Sequence, residues 1–472
     1  MTYDVVVVGA GIGGLTVAAL LAKRGMNVCI LERQSQVGGC IGRVQFGDLD
    51  FEPGMGIYPG WGSGEIYDQL FSELQMEIPK ASLIESDYLV RFEGQDIRLK
   101  RDADEFFDEL RGAFPESAEA AVEFYQQVIR INELRSERNK PGFATSVRRL
   151  WRKDHDLQNP GQVTAFSAAS QTSARFQDFI DAQLRAFLHS SIDRCSLASA
   201  SRVLGLPRQP LYSIEGGIAT LAERLAESIK SAGGRIRLNQ PVLRLSYSER
   251  GEPTGVDLLS GETISARRAI VSNLTVWDTF GKLIGLNRTP SAIKSLLARL
   301  QGQGAYVIYA AVEALALERL PASNFLVAVL SDEEINLSGD LTVSIGKPQS
   351  DGMCAATIKT STEVAPWFSY QASETDYEEW DQSALENVWS RLHSAVPEFG
   401  SGIEVIETAN PRTYYDQTRR KLGMVLGVES MQDGPLSLPF TNVFIVGDTV
   451  SDGSVATVVS SSMHLADQLT LK

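Results

Sequence analysis

An α/β protein of two domains, one of them built on a parallel sheet covered on both faces, is what the sequence predicts. Three observations carry that expectation. Four consecutive valines, Val5 to Val8, lead straight into glycines at positions 9, 11 and 14. A second apolar stretch, Val28 to Leu31, ends in an acid, Glu32, 18 residues beyond Gly14. The chain has 472 residues, more than one simple core accommodates.

The valine run reads as a strand buried on both faces, and the glycines follow it at GxGxxG spacing. The first glycine permits a tight turn and the second lets a pyrophosphate approach the backbone. The third lets the ensuing helix pack close to the strand, with its N-terminus facing the phosphates. Val5 to Ala22 carries no charge and so reaches the roughly 18 apolar residues that a membrane span requires. The flanks argue otherwise, because the chain opens Met-Thr-Tyr-Asp without a basic n-region and runs into Lys23 and Arg24. "NVCILER", Asn27 to Arg33, is the second buried strand, and Glu32 at its end is positioned to accept hydrogen bonds from ribose hydroxyls and to repel a 2′-phosphate. The motif predicts a Rossmann-like site for FAD or NAD rather than NADP, with Gly9, Gly11, Ile12, Gly13, Gly14, Glu32 and Arg33 around the nucleotide.

Composition narrows the remaining classes. Cys29, Cys40, Cys195 and Cys354 are scattered without CxxC spacing, which predicts reduced thiols in a cytoplasmic compartment. Four histidines with none paired at ligand spacing predict no metal site. A net charge of −15 argues against nucleic acid as a partner. One segment opposes that charge. From Arg135 to Lys153 seven basic residues face only Glu137, with Phe143, Val147, Leu150 and Trp151 interleaved. Two readings stand for it: a solvated basic face on a lid, and an amphipathic helix docked peripherally on an anionic membrane.

Beyond Glu32 the sequence runs "ERQSQVGGCIGRVQFGDLDFEPGMGIYPG". Its Gly38-Gly39 pair, followed by Phe51, Glu52 and Gly54, resembles the amino-terminal fingerprint of two-domain FAD oxidoreductases. Three more stretches are similar to one branch of that superfamily, the carotenoid desaturases and isomerases. They are "YSIEGGIATLAERLAESIKSAGGRIRLNQPVLRL" (Tyr212 to Leu245), "ARRAIVSNLTVWDTFGKL" (Ala266 to Leu283) and "NPRTYYDQTRRKLGMVLG" (Asn410 to Gly427). A closing motif, "NVFIVGDTVSDGSVATVVSSSMHLADQL", resembles the segment with which these enzymes complete the flavin site, although the usual Gly-x-Gly is here Ser451-Asp452-Gly453-Ser454.

The resemblance implies a two-domain FAD-binding fold of the glutathione-reductase and amine-oxidase type. It adds Gly38, Gly39, Arg43, Val242 beside the adenine, Gly447, Asp448 toward the ribityl chain, Gly453 and Val455 to the cofactor's contacts. Arg43 enters as a substitute at the phosphate because Cys40 occupies the place where many relatives carry arginine or a small residue. The FAD domain is then expected from residues 1–75, 212–277 and 436–472, and the substrate domain from 76–211 and 278–435. Helical periodicity over Asp102–Leu134 and Gln177–Phe187 predicts a cap packed through Phe106, Phe107, Leu110, Val122, Phe124, Tyr125 and Val128. Alternation in "AYVIYAAVEAL" and "DLTVSIGK" predicts a mixed-sheet floor.

A flavin carries the redox chemistry itself, so the protein need supply orientation and an apolar slot. The resemblance implies a hydrophobic polyene as the small-molecule partner, with desaturation or cis-trans isomerisation as the reaction. No catalytic side chain stands out; Glu215, Arg412 and Tyr414 are the candidates, and each has an ordinary structural role open to it. An amine or porphyrinogen oxidase, and a non-catalytic binder of prenylated proteins, are the alternatives on the same scaffold. The intact Glu32 and Gly447-Asp448 argue against the binder.

Overall fold

The computed structural model describes residues 1–84, 88–138, 160–161, 163–188, 190–300, 302–320, 325–329, 340–349, 352–368, 374–425, 438–451 and 453–471. Strand β1 (Thr2–Val8) forms the middle of a seven-stranded sheet. Val5 to Val8 pair in parallel with Val28 to Leu31 of β2 (Val28–Leu31) on one side. On the other side they pair with the strand Thr263–Ser272. That strand, ten residues long, serves two further neighbours: its first residues pair antiparallel with Pro253–Leu258, and its last with Val443–Ile445 in parallel. The sheet therefore draws on chain stretches hundreds of residues apart.

Alternation across the sheet decides what covers each face. Val5, Val7, Val28 and Ile30 point into a layer made by helix α1 (Ile12–Lys23) and the helices Ala219–Ser231 and Val455–Leu471. Val6, Val8, Cys29 and Leu31 point the other way, onto Leu245, Val256, Trp277 and Phe280. This second layer continues past Trp277 through Leu283, Ile284, Leu297 and Leu300. A purely apolar strand such as β1 is thus explained by burial on both sides. Ten of the twelve α1 residues are buried, so this helix is a core element with no solvent stripe.

A second seven-stranded sheet is mixed, as the alternating segments predict. Its strands Gly304–Glu313, Met353–Thr362, Asp340–Ile345 and Phe325–Val329 are antiparallel in succession, and the last pairs in parallel with Tyr88–Phe92. One face carries Tyr306, Ile308, Ala310 and Val312 against the helix Glu374–Ala395. The opposite face carries Ala305, Val307 and Tyr309 toward Phe51 of a hairpin that follows the glycine motif.

The cap consists of the helices Ala103–Ala113, Ala118–Arg138, Ala174–Leu188 and Leu197–Leu204. Phe114, Phe124, Tyr125, Phe176 and Phe179 interlock in it, mostly edge to face, with centroids between 5.0 and 6.1 Å apart. The basic segment beginning at Arg135 lies outside the described residues from position 139 to its end at Lys153. Among the described residues, no helix is long and apolar enough to cross a membrane.

Phe176 is fully buried at the centre of this aromatic cluster. Phe176→Ala is expected to cost about 3–5 kcal/mol, read as a lowered urea midpoint of the cap-containing transition. A stability loss of only a few tenths of a kcal/mol would show that the cluster closes over the gap.

Candidate functional site

The site grows from the end of β1. Gly9 turns the chain at φ +97°, a conformation that a side chain strongly disfavours, while its N–H still bonds Leu31 of β2 at 2.8 Å. A Cβ at Gly14 would run into the Gly9 carbonyl and come within 3.1 Å of Val7, so helix and strand can touch only with glycine there. Helix α1 begins at Gly11 without a side-chain cap and without an acid in its first turn. Its N-terminal amides therefore face the cavity without an internal anion, the arrangement that accommodates a phosphate.

Asn273, directly after the strand Thr263–Ser272, closes this turn from the third backbone. Its N–H donates to Val8 at 2.8 Å, and its side chain lies where a Cβ on Gly11 or Gly13 would be. The Glu32 carboxylate accepts the Ala10 N–H at 2.7 Å and the Gln34 N–H at 2.8 Å. It is held rigidly beside the turn, with lone pairs left for further donors. Arg33 donates to the carbonyls of Asp416 and Gln417.

One cavity of about 1120 Å³ takes in Gly9, Gly11, Ile12, Glu32, Arg33, Gly38, Gly39, Val242, Gly447, Asp448, Gly453 and Val455. Gly13 and Gly14 sit behind that wall, packed on Asn273 and on Gly9. The N-terminal end of the helix Val455–Leu471, with the Thr457 N–H bonded by Ser454 Oγ, forms another part of the rim. Asp452 lies outside the described residues. The cavity then passes over the second sheet at Ala305, Thr342 and Lys359, and reaches Phe187, Leu188, Cys195 and Val203 of the cap.

Three expectations change here. Arg43 is not in the cavity wall: its guanidinium is taken by Asp50 at 3.1 Å and Glu223 at 3.0 Å. It braces the hairpin against the helix Ala219–Ser231 instead of meeting a phosphate. Glu215 is exposed at a turn, where its N–H bonds Lys80, and it too is absent from the lining. Arg412 donates to the Trp367 carbonyl at 2.8 Å and stacks 3.8 Å from the Tyr377 ring centre, a packing role that occupies its fork. Of the three catalytic candidates only Tyr414 lines the cavity, and burial pushes its phenol well above the ordinary value, with Tyr309 adding to the effect.

The structure also gives roles to two groups, Arg420 and Glu52, that lie within the quoted motifs, which assign them none. Arg420, almost fully buried, donates to both oxygens of Asp448 at 3.2 and 2.7 Å and to the Met424 carbonyl at 2.6 Å. Asp448 is thereby fixed before any ligand reaches it. Glu52 accepts from the Gly54 N–H at 3.1 Å, the Tyr58 hydroxyl at 2.7 Å and the Ile218 N–H at 3.2 Å. Burial raises its carboxyl above the usual range, with Tyr58 and the two backbone donors pulling it back.

The donor set fits FAD. An anion-ready helix N-terminus stands at one end, a ribose-type acid beside it, a fixed aspartate further along, and room continues toward the cap. A Rossmann-type sheet with these contacts, set against a mixed sheet and a helical cap, defines a FAD-binding oxidoreductase fold. Residues 12–274 match the profile of the flavin containing amine oxidoreductases, and the chain belongs to that family, with FAD as its cofactor. The chain is 26% identical to prolycopene isomerase of Daucus carota over 98% of its own length and 78% of that protein. It is 24% identical to all-trans-retinol 13,14-reductase of Danio rerio, over 90% of this chain and 77% of the other. An oxidoreductase structure from Methanosarcina mazei superposes with a TM-score of 0.67 at 18% identity, covering 98% of this chain and 100% of that one.

Two outcomes follow from this geometry. Gly11→Val would put a branched side chain onto the Asn273 amide at the helix N-terminus. FAD affinity should fall at least about tenfold, or about 1.4 kcal/mol, measured by flavin fluorescence on titrating the apoprotein; an unchanged affinity would remove the turn from the site. Glu52 has a pH signature. Its folded value lies above its ordinary 4.5, so the stability it contributes is fully present below that ordinary value and is lost as pH rises through the folded one. Relative to Glu52→Gln, the wild type should therefore lose melting temperature as pH rises above 4.5, whereas a constant difference would mean that Glu52 does not titrate on folding.

Proposed function

We propose that the chain is a FAD-dependent oxidoreductase or isomerase acting on a long apolar polyene, and that cis-trans isomerisation is its reaction. The continuity of the cavity carries this reading. At about 1120 Å³ it exceeds the roughly 300–1000 Å³ that one small ligand occupies, and it joins the nucleotide end to an arm under the cap. Met55, Ile57, Phe187, Leu188, Val203 and Leu206 line that arm. Side chains of this kind bind a hydrocarbon by excluding water and orient it by shape. Two relatives with names that refer to polyenes, a prolycopene isomerase and a retinol reductase, support the substrate class.

When bound, FAD supplies a ring that can accept or return electrons or a hydride. The chain's own residues do the positioning. Asn273 and the glycine turn fix the phosphate end, and Arg420 holds Asp448 along the middle. The Glu52 carboxylate ties together Gly54, Tyr58 and Ile218, so that the segment after the hairpin stays in register with the helix Ala219–Ser231. Tyr414, kept protonated by burial, contributes a fixed O–H rather than a base at physiological pH.

The test adds cis and all-trans polyenes anaerobically to the purified holoprotein, before and after dithionite reduction. Product formed by the reduced protein alone, without reoxidation of the flavin, is the expected result. Bleaching of the oxidised flavin by a polyene would indicate desaturation instead. Rapid bleaching by an amine, with polyenes inert, would overturn the substrate assignment in favour of an amine oxidase.

A further inference from the structure

Lys359 is a cation that neither an apolar substrate nor the nucleotide turn accounts for. It lies on the strand Met353–Thr362, whose other residues are nearly all buried. In register it stands between Val307 on one neighbouring strand and Thr342 on the other, and with Thr342 and Ala305 it lines the cavity floor. An ammonium withdrawn from water costs several kcal/mol unless it is paired. Among the described residues, the polar contacts of its Nζ are the Pro53 and Gly54 carbonyls, both at the long distance of 3.4 Å.

Among the described residues, nearby groups do not complete the pairing. Glu52 is close enough to act on Lys359 through space, yet its oxygens are already engaged by Gly54, Tyr58 and Ile218. Asp448 is committed to Arg420. The Cys40 thiol also faces this point, and burial pushes it toward the neutral form. Burial likewise lowers the Lys359 ammonium below its ordinary value, with Glu52 and Cys40 pulling it back. The cation therefore faces the ligand space with its charge incompletely met.

We propose that Lys359 is a positioning residue for the flavin ring, supplying the positive charge that stabilises FAD in its fully reduced, anionic form. Two electrons and one proton, the equivalent of one hydride, turn the neutral oxidised ring into an anion; a second proton would neutralise it. The ammonium takes the place of that second proton. A phosphate partner would behave differently, because its charge is the same in both redox states and its loss would weaken FAD binding without moving the potential.

The measurement is the midpoint potential of the holoprotein, by dithionite titration against a reference dye, for the wild type, Lys359→Met and Lys359→Arg. The reduction equilibrium of Lys359→Met should move at least tenfold toward the oxidised state, which for a two-electron couple lowers the potential by about 30 mV. Lys359→Arg should stay within threefold of the wild type. The wild-type flavin reduced at pH 8 should show the absorbance of the anionic form. An unchanged potential in Lys359→Met, or an equal loss of FAD affinity in both redox states, would overturn the proposal. Should Lys359→Met fail to fold, a wild-type reduced flavin with the absorbance of the neutral form at pH 8 would overturn it. No polyene enters the assay, so failure of the substrate reading and failure of this proposal are separable.

Discussion

Close approach of three backbones at one end of the first sheet is the constraint on which the rest depends. β1 must stop, turn and re-enter as α1 within touching distance of itself, and the strand Thr263–Ser272 must deliver Asn273 into the same gap. A Cβ at Gly14 would force α1 away from β1, and the amides at the head of α1 would no longer converge on a phosphate. The buried valines of β1 and the apolar length of α1 serve this contact. They supply the packing that holds a helix end, with its unsatisfied donors, against an open cavity.

The two halves of the molecule contribute different things to that cavity. The first sheet brings backbone groups, which read a cofactor's phosphates and ribose with little conformational freedom to lose. The second sheet and the cap bring side chains, which set shape and charge. Glu52 belongs to both, since its carboxylate accepts from Ile218 beside the first sheet's helix Ala219–Ser231 while its carbonyl accepts from the Thr357 hydroxyl of the second sheet. Arg420 similarly crosses from the segment after the helix Pro411–Thr418 to the closing motif at Asp448.

Much of this was legible in the sequence wherever a local pattern determines the outcome. The glycine spacing, the acid after β2, the Gly447-Asp448 strand end and the aromatic periodicity of the cap each act over a few residues, and each lies where its pattern predicts. The structure departs from the reading where the outcome depends on distant partners. Arg43 looked available for a phosphate because nothing nearby in sequence announces Glu223, 180 residues away. Arg412 lies in a motif-like segment, yet Trp367 and Tyr377 take its guanidinium. Lys359 had one faint signal, a single cation within an otherwise apolar or hydroxyl-bearing strand, but only the sheet register shows which way it faces. The basic segment from Arg135 is a charge pattern alone, with no local rule to say what it meets.

The composition of the first sheet also bears on how the molecule comes into being. Its central strands are β1 and Thr263–Ser272, Val443–Ile445 pairs with the end of the latter, and the helix Val455–Leu471 packs on α1. Contacts of such high sequence separation close slowly, because the intervening chain must be ordered first. During synthesis, then, the glycine turn emerges from the ribosome more than 400 residues before the strand and helix that complete its surroundings. Until they arrive, the valines of β1 are exposed edge-forming residues of the kind that aggregate. FAD, which draws on all three stretches, would act as a fastener for this late step, so cofactor supply during expression should govern the yield of soluble protein as well as its occupancy.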